Sequence, residues 1–523
     1  MLGQLDDSAA FDEVTWRERR RKKPYWRNLH DWAQENLRIE DFEPLYSNIG
    51  RPSVCPVHTF LATLIQLEKG YSDREMEEAS ECDERVKYAL LVKRDLAGID
   101  AVTLCRHRSL LFANDYGRKL LVRTVSQAIE LGIFSPGSRA VVDSFMVWGA
   151  RAATDTYTLI RKAIRMVLKL GSLCELEQRM RLLLDRSDYD IDGKPEIDWE
   201  DAEQKRLLLQ SLVDDGVRLA KFAQSEGMPD DIRSAGELLE RISTQDVEIC
   251  KETGRVELRQ GVSRDRVISV ADPEMRHGRK TSSLKSDGYK AYIATVGDNA
   301  QIIADVVVTP ANAADSEPVP EMVDRIEEAT GSKPEEIMGD SAYSGEELEE
   351  KLAEKQVELV AKIPAPVNKK GLFTKDDFEI EESRGFVMCP AKQYAYFDIN
   401  RLLNEHKVVR ADFRPDVCNN CELESRCTES SKGRTIRVRP HEAKRRAKRR
   451  HQKTAEFREK YSRRALTEQR IAHCTRHGGR VSRFVGRAKT EFQELLVAVN
   501  RNIQEIMKVR VSLVTPERLL AGT

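Results

Sequence analysis

The chain has 523 residues, enough for two to four domains, and is 33% charged and 40% hydrophobic, as soluble globular proteins are. No apolar run approaches the ~18 residues needed to cross a bilayer, the polar N-terminus lacks a signal-peptide core, and ten cysteines without an export signal imply a reducing cytosol. The net charge of −1 hides a segregation: residues 434–510 carry 23 Lys+Arg against 7 Asp+Glu, whereas residues 185–203 carry nine acids against two bases. A strongly basic C-terminal third suits a polyanionic partner, and a solvated, salt-bridged helical surface is the alternative.

Taken in order, residues 1–135 read as a helical N-terminal DNA-binding domain. A basic cluster, Arg17 to Lys23, is flanked by Trp16, Tyr25 and Trp26, and aromatics beside cations suit nucleic-acid contact. Val57 to Lys69 is apolar at helical spacing, Ser72-Asp-Arg-Glu75 is a capping box, and Asp100 precedes a helix carrying Arg106, His107 and Arg108. Short helices on short turns are compatible with a helix-turn-helix reader and with any small helical domain. Val141-Val142 then opens a buried strand interrupted by Asp143, a carboxylate costly to bury without a partner or metal.

Residues 153–263 read as a helical insertion. Asp188, Asp190, Asp192 and Gly193 mimic a calcium loop, but its twelfth position is Trp199, not the required Glu, which excludes such a site. Strand patterning resumes after Arg266: Val267–Val270, Gly288–Val296 and Gln301–Thr309 read as strands, and Pro318–Thr330 as a helix. The run Glu336-Ile-Met-Gly-Asp340 reads as a strand ending in a carboxylate at the lip of a sheet, where open α/β folds place ligands. Asp340 also suits the N-cap of the next helix. Gly345–Gln356 reads as that helix and Val357–Ile363 as a last strand.

Residues 364–459 form a basic, cysteine-containing insertion. Cys389, Cys418, Cys421 and Cys427 have the spacing C-x28-C-x2-C-x5-C, and four thiolates can hold a tetrahedral structural Zn2+. Unliganded cytosolic cysteines remain the other reading. A basic helix follows from Tyr461, then a break at His477-Gly-Gly-Arg480. Phe492, Leu495, Leu496, Val499, Ile503 and Ile506 form the apolar stripe of a final helix.

Asp143, Asp340 and Glu468 on adjacent elements would hold two hard cations by oxygen, an arrangement that serves in-line phosphoryl displacement. Several stretches resemble one family: Val141-Val-Asp143-Ser144, Asp272 to Lys280, Asp287-Gly-Tyr-Lys290, Thr309 to Asp315, Gly339-Asp340-Ser-Ala-Tyr343, the Tyr461-x2-Arg464-x3-Glu468 spacing, Gly478 to Gly486, Asn500 and the cysteine block. In these, the chain resembles bacterial insertion-sequence transposases of the DDE type. A Lys that this family often places after the Glu is replaced here by Thr475-Arg476.

The resemblance implies an α/β fold, an RNase H-like mixed sheet with flanking helices, assembled from residues 136–152, 264–363 and 460–510, with residues 511–523 as a tail. It implies Asp143, Asp340 and Glu468 as catalytic ligands of Mg2+ (or Mn2+). Arg279, Lys280, Lys290, Tyr461, Arg464, Arg476, Arg480 and Arg483 are expected to contact DNA. The implied partner is double-stranded DNA, transposon ends and target, bound by a homodimer in the bacterial cytoplasm and nucleoid, with no membrane association. A domesticated, non-catalytic DNA-binding descendant and a plain nuclease are the rival readings.

Overall fold

The computed structural model describes residues 24–47, 49, 52–250, 255–261, 263, 265–279, 285–299, 301–367 and 370–520, with side chains through 510. The basic cluster Arg17–Lys23 and Lys280 lie outside the described residues. The chain forms two compact units: Met1–Pro334 with Leu466–Thr523, and Glu335–Ala465. It is mixed α/β with an N-terminal helical region.

In the first unit, helices α1 (Tyr25–Asn36), α2 (Pro56–Lys69), α3 (Asp73–Cys82), α4 (Glu84–Ala89), α5 (Ala101–Ala113) and α6 (Tyr116–Glu130) precede strand β1 (Ala140–Trp148). The capping box at α3 forms as its sequence requires: Ser72 accepts from the Glu75 amide, and Glu75 accepts from the Ser72 amide. In α5, His107 and Arg108 face inward. Arg108 donates to Gln66 and Asp73, and His107 bonds the Tyr46 hydroxyl, so Arg106 alone of the three is exposed.

The insertion after β1 packs α7 (Thr156–Leu173), α8 (Ala202–Ala223) and α9 (Asp230–Gln245) around their own apolar core, closed by the hairpin β2 (Val247–Ile249) and β3 (Val256–Leu258). The false calcium loop is consumed by ion pairs: Asp188 meets Arg161 and Arg186, Asp190 meets Arg181, and Asp192 meets Arg165.

Strands β4 (Arg276–Arg279), β5 (Lys285–Val296) and β6 (Ile302–Pro310) follow, and then α10 (Val319–Thr330). β5 is the organising strand. β1 pairs along one side of it, antiparallel, with Asp143 opposite Ile293, and β4 and β6 take successive stretches of it. Residues 267–270, expected as a strand, form none. The Gln245 side-chain amide brackets Val267 with two hydrogen bonds, and the Thr154 backbone amide donates to the Ile268 carbonyl, so isolated bonds replace a ladder there.

In the second unit, β7 (Glu336–Gly339) pairs in parallel with β8 (Glu358–Ala361), with α11 (Glu346–Glu354) as the crossover. A small three-stranded sheet, β9 (Glu379–Glu381), β10 (Phe386–Met388) and β11 (Tyr394–Tyr396), precedes a two-stranded ribbon, β12 (Val409–Asp412) with β13 (Thr435–Val438). Helices α12 (Glu442–His451) and α13 (Ala455–Ser462) complete it. Helix α14 (Arg464–Arg476) leads back into the first unit, and α15 (Arg487–Leu520) ends the chain.

The sequence-derived stripe of α15 is buried as expected, in one core with α1, α2, α6 and β6. Gly117 permits the approach of α6, because a Cβ there would stand 3.0 Å from the Phe492 ring.

Candidate active site

Asp143 sits mid-way along β1 and is 9% exposed. Its Oδ1 accepts the Ser144 amide at 2.8 Å. Side chains alternate between the faces of a strand. Asp143, Phe145 and Val147 therefore share a face with their partners Ile293, Ala291 and Tyr289, and the apolar members of this set are core residues packed with α15. Asp143 is the one charged side chain among these six residues.

Glu468 lies exposed on α14. The preceding residue, Thr467, is fully buried and shares a 2.7 Å hydroxyl hydrogen bond with Thr295. Thr295 is the register partner of Val141, two residues from Asp143, and belongs to the same face. The Thr467–Thr295 bond thus anchors the Glu468 helix over the face that carries Asp143. Arg464, one turn earlier, is half-buried.

Asp340 belongs to the second unit and follows β7 directly. Its Oδ1 accepts the Ala342 amide at 2.7 Å, capping the single turn Ser341–Tyr343. Two features fix the strand end before it. A Cβ on Gly339 would stand 2.7 Å from the Tyr343 ring, so only glycine fits. The Tyr461 hydroxyl donates to the Gly339 carbonyl at 3.1 Å, while its ring carries the Lys362 ammonium at 4.3 Å. Tyr461 was expected to contact DNA, and here it positions the segment bearing Asp340.

The other expected DNA contacts are dispersed. Lys290 bonds Asp315 at 3.1 Å and the Ala313 carbonyl, and Ser144 donates to the same Asp315. By alternation, Lys290 lies on the face opposite Asp143. It lines a cavity of about 720 Å3 with Arg266, Arg276, His277, Arg279 and Lys285. Arg279 and Arg476 are exposed.

Arg480 and Arg483, both exposed, belong to the Gly478–Gly486 motif, whose backbone forms a strap against β1. The Trp148 amide donates to the Arg480 carbonyl, and the Ser482 amide donates back to the Trp148 carbonyl, which extends β1 by one bridge. Gln493 bonds the carbonyls of Gly478 and Val481 and the Arg483 amide. Gly478 has φ +98°, and a Cβ there would lie 2.7 Å from the Leu67 carbonyl. Arg483 is exposed but reaches the Gln66 carbonyl at 3.4 Å, and partial desolvation, with Arg108 nearby, lowers its pKa. Asp272, wholly buried, accepts from Tyr289 and from the Gly486 amide, so the strap is fastened at both ends. Nothing in the spacing of this motif distinguished strap from contact surface.

The Asn500 side chain donates to Glu68 at 3.3 Å, and His477 Nδ1 faces the same carboxylate at 3.0 Å. Burial pushes Glu68 up to about 7. Elsewhere in the core, Asp305 is fully buried against Arg118 at 2.6 Å, and burial raises it to about 6.

In the second unit, Cys389, Cys418, Cys421 and Cys427 line one small cavity with Phe378, Phe413 and Val417. The amides of Gln393 and Leu423 point at Cys389 Sγ and Cys421 Sγ, each at 3.4 Å. Burial, followed by the three other sulfurs, raises the Cys427 thiol. Among the described residues, no three His, Cys, Asp or Glu side chains are arranged as they stand to hold an ion. No helix among them is long and apolar enough to cross a membrane.

Comparison with known proteins gives two matches, at opposite ends of the chain. Residues 15–110 match a family model described as a transposase domain, DUF772. Residues 388–507 match one described as a transposase DDE domain; they include Glu468, the four cysteines and the strap, but neither Asp143 nor Asp340. No curated protein and no solved structure matches the chain. Both matches are to transposase families, and together they support an insertion-sequence DDE transposase.

Proposed function

We propose that this transposase cleaves DNA at the ends of an insertion sequence and joins the freed 3′ ends to target DNA by metal-dependent phosphoryl transfer, with Asp143, Asp340 and Glu468 as its carboxylates. The observation that carries the reading is the pairing of Thr467 with Thr295, which sets the Glu468 helix, inside the matched DDE segment, over the sheet face that bears Asp143. Asp340 joins them by its motif, Gly339-Asp340-Ser-Ala-Tyr343.

Three carboxylates are the donor set of hard divalent cations such as Mg2+ or Mn2+. Bound by them, such ions supply Lewis-acid assistance to the displacement at phosphorus. The chain's own groups do the rest. The Ser144 amide holds one Asp143 oxygen, and the Ala342 amide holds one from Asp340. Tyr461 keeps the Gly339–Asp340 peptide in place. Double-stranded DNA is the substrate, and a homodimer on paired ends is the working assembly. The expected result is that Asp143→Asn, Asp340→Asn and Glu468→Gln each abolish Mg2+-dependent cleavage of element-end DNA while duplex binding persists. Near-normal cleavage by any one of them removes that residue from the site.

We further infer that Cys389, Cys418, Cys421 and Cys427 hold a structural zinc ion. Four thiolates suit tetrahedral zinc, and amides aimed at two of the sulfurs are the kind of outer partners that orient metal-bound thiolates.

A further inference from the structure

The second unit contains two basic surfaces that sequence does not separate. Helix α12 is the denser, with Lys444, Arg445, Arg446, Lys448, Arg449 and Arg450. Most of that charge is spent within the unit. Lys444 and Lys448 meet Glu349, and Arg445 meets Glu346. Arg446 donates to the Asp376 carbonyl, and the buried Arg449 is held by Asp376 and Glu442.

The ribbon β12–β13 differs. It walls a cavity of about 710 Å3 with Pro364 and Pro366, into which Lys375, Arg434, Arg437, Arg439, Arg445 and Arg449 project around a single carboxylate, Glu442. Glu442 is engaged by Lys375 and Arg449. Arg437 and Arg439 are exposed, and no described carboxylate pairs with either. Arg437 lies on β13 and Arg439 is the first residue past its end; both line the cavity, and two residues of extended chain span about 7 Å, comparable to the step between phosphates along one nucleic-acid strand. Arg410, the cross-strand partner of Arg437, adds a third guanidinium, paired with Asp412.

We propose that this ribbon and its cavity bind the phosphodiester backbone of DNA, with Arg437 and Arg439 as the principal contacts, and that helix α12 is the scaffold behind it. The proposal rests on the DNA reading above and names a contact surface outside the proposed catalytic carboxylates. Guanidinium groups suit the role because their planar donors match phosphate oxygens, and unpaired cations cost nothing to release from a protein partner.

The test is the salt dependence of affinity of the full-length protein for a random-sequence duplex, read by fluorescence anisotropy. Each phosphate contact contributes about 0.9 to the slope of log affinity against log salt. Arg437→Ala with Arg439→Ala should lower that slope by about 2 and weaken binding alike for all sequences. Arg414→Ala, an exposed guanidinium outside the cavity paired with Asp416, should leave it unchanged. Unfolding profiles identical to wild type confirm that the double variant folds. An unchanged slope in the double variant overturns the ribbon proposal. A wild-type protein with no salt-sensitive DNA affinity overturns the DNA reading itself.

Discussion

The two units are held together by different means. The first buries long apolar stripes. Helix α15 alone contributes Phe492, Leu495, Leu496, Val499, Ile503 and Met507 to a core that also takes in β1, β5 and the N-terminal helices. The cysteine-bearing part of the second unit buries ten hydrophobic residues around three- and two-stranded sheets, and supplements them with the Arg449–Asp376–Glu442 network; the zinc proposed above for its four cysteines would be a further staple. The difference follows the rule that small cores need staples. A 34-residue helix crosses the first unit, while short strands in the second cannot exclude enough water alone.

The largest break in this comparison should come from the thiols. Structural zinc in small modules contributes on the order of 10 kcal/mol. Chelation, or Cys418→Ser with Cys421→Ser, should therefore abolish the unfolding transition of the second unit and release stoichiometric zinc, measured by calorimetry and elemental analysis. Purified protein without zinc breaks the comparison. Next, Arg449→Ala leaves the buried Glu442 with Lys375 and removes the partner of Asp376, so the loss should stay below the about 3–5 kcal/mol of a fully broken buried pair. Urea titration should show that loss in the second unit, and a loss below about 1 kcal/mol would class the network with surface pairs. In the first unit, Leu496→Ala should cost about 2–5 kcal/mol by leaving a cavity, which the same titration reads.

The smallest effect concerns pH. Glu68 is raised to about 7 chiefly by burial, so the native state holds a proton that the unfolded chain releases near 4.5. Its contribution to stability is complete below that lower value and is lost as pH rises through about 7. His477, Lys69, Arg501 and Asn500 face it. Glu68→Gln should flatten the stability profile between these limits and raise stability above pH 7 by on the order of 1–3 kcal/mol.

Long periodic elements were legible from sequence because their burial pattern matches their period. The stripe from Phe492 to Ile506, the strands flanking Gly297, and the capping box at Ser72 all form. Residues 267–270 misled because apolar content was read as a ladder, whereas Gln245 and Thr154, distant in sequence, supply the hydrogen bonds. Charge was legible in density but not in pairing. The density of α12 was plain, but the acids that neutralise it, Glu346, Glu349 and Asp376, lie some 70 to 100 residues earlier. At the proposed site, Asp143 stood out because an acid within an apolar strand conflicts with its surroundings. Tyr461 and Thr467 acquire their positioning roles only through Gly339 and Thr295.

The bridge between Trp148 and residues 480–482 also has a consequence for how the chain is made. Strand β1 is synthesised more than three hundred residues before its bridging partner Val481. Contacts of such separation form late, after their loop-closure entropy has been met. The Asp143 face must therefore wait on the ribosome for α14, the strap and α15. A chain released before these are made would leave β1 without its end bridge and the apolar face of its sheet without α15, a nascent species prone to aggregate.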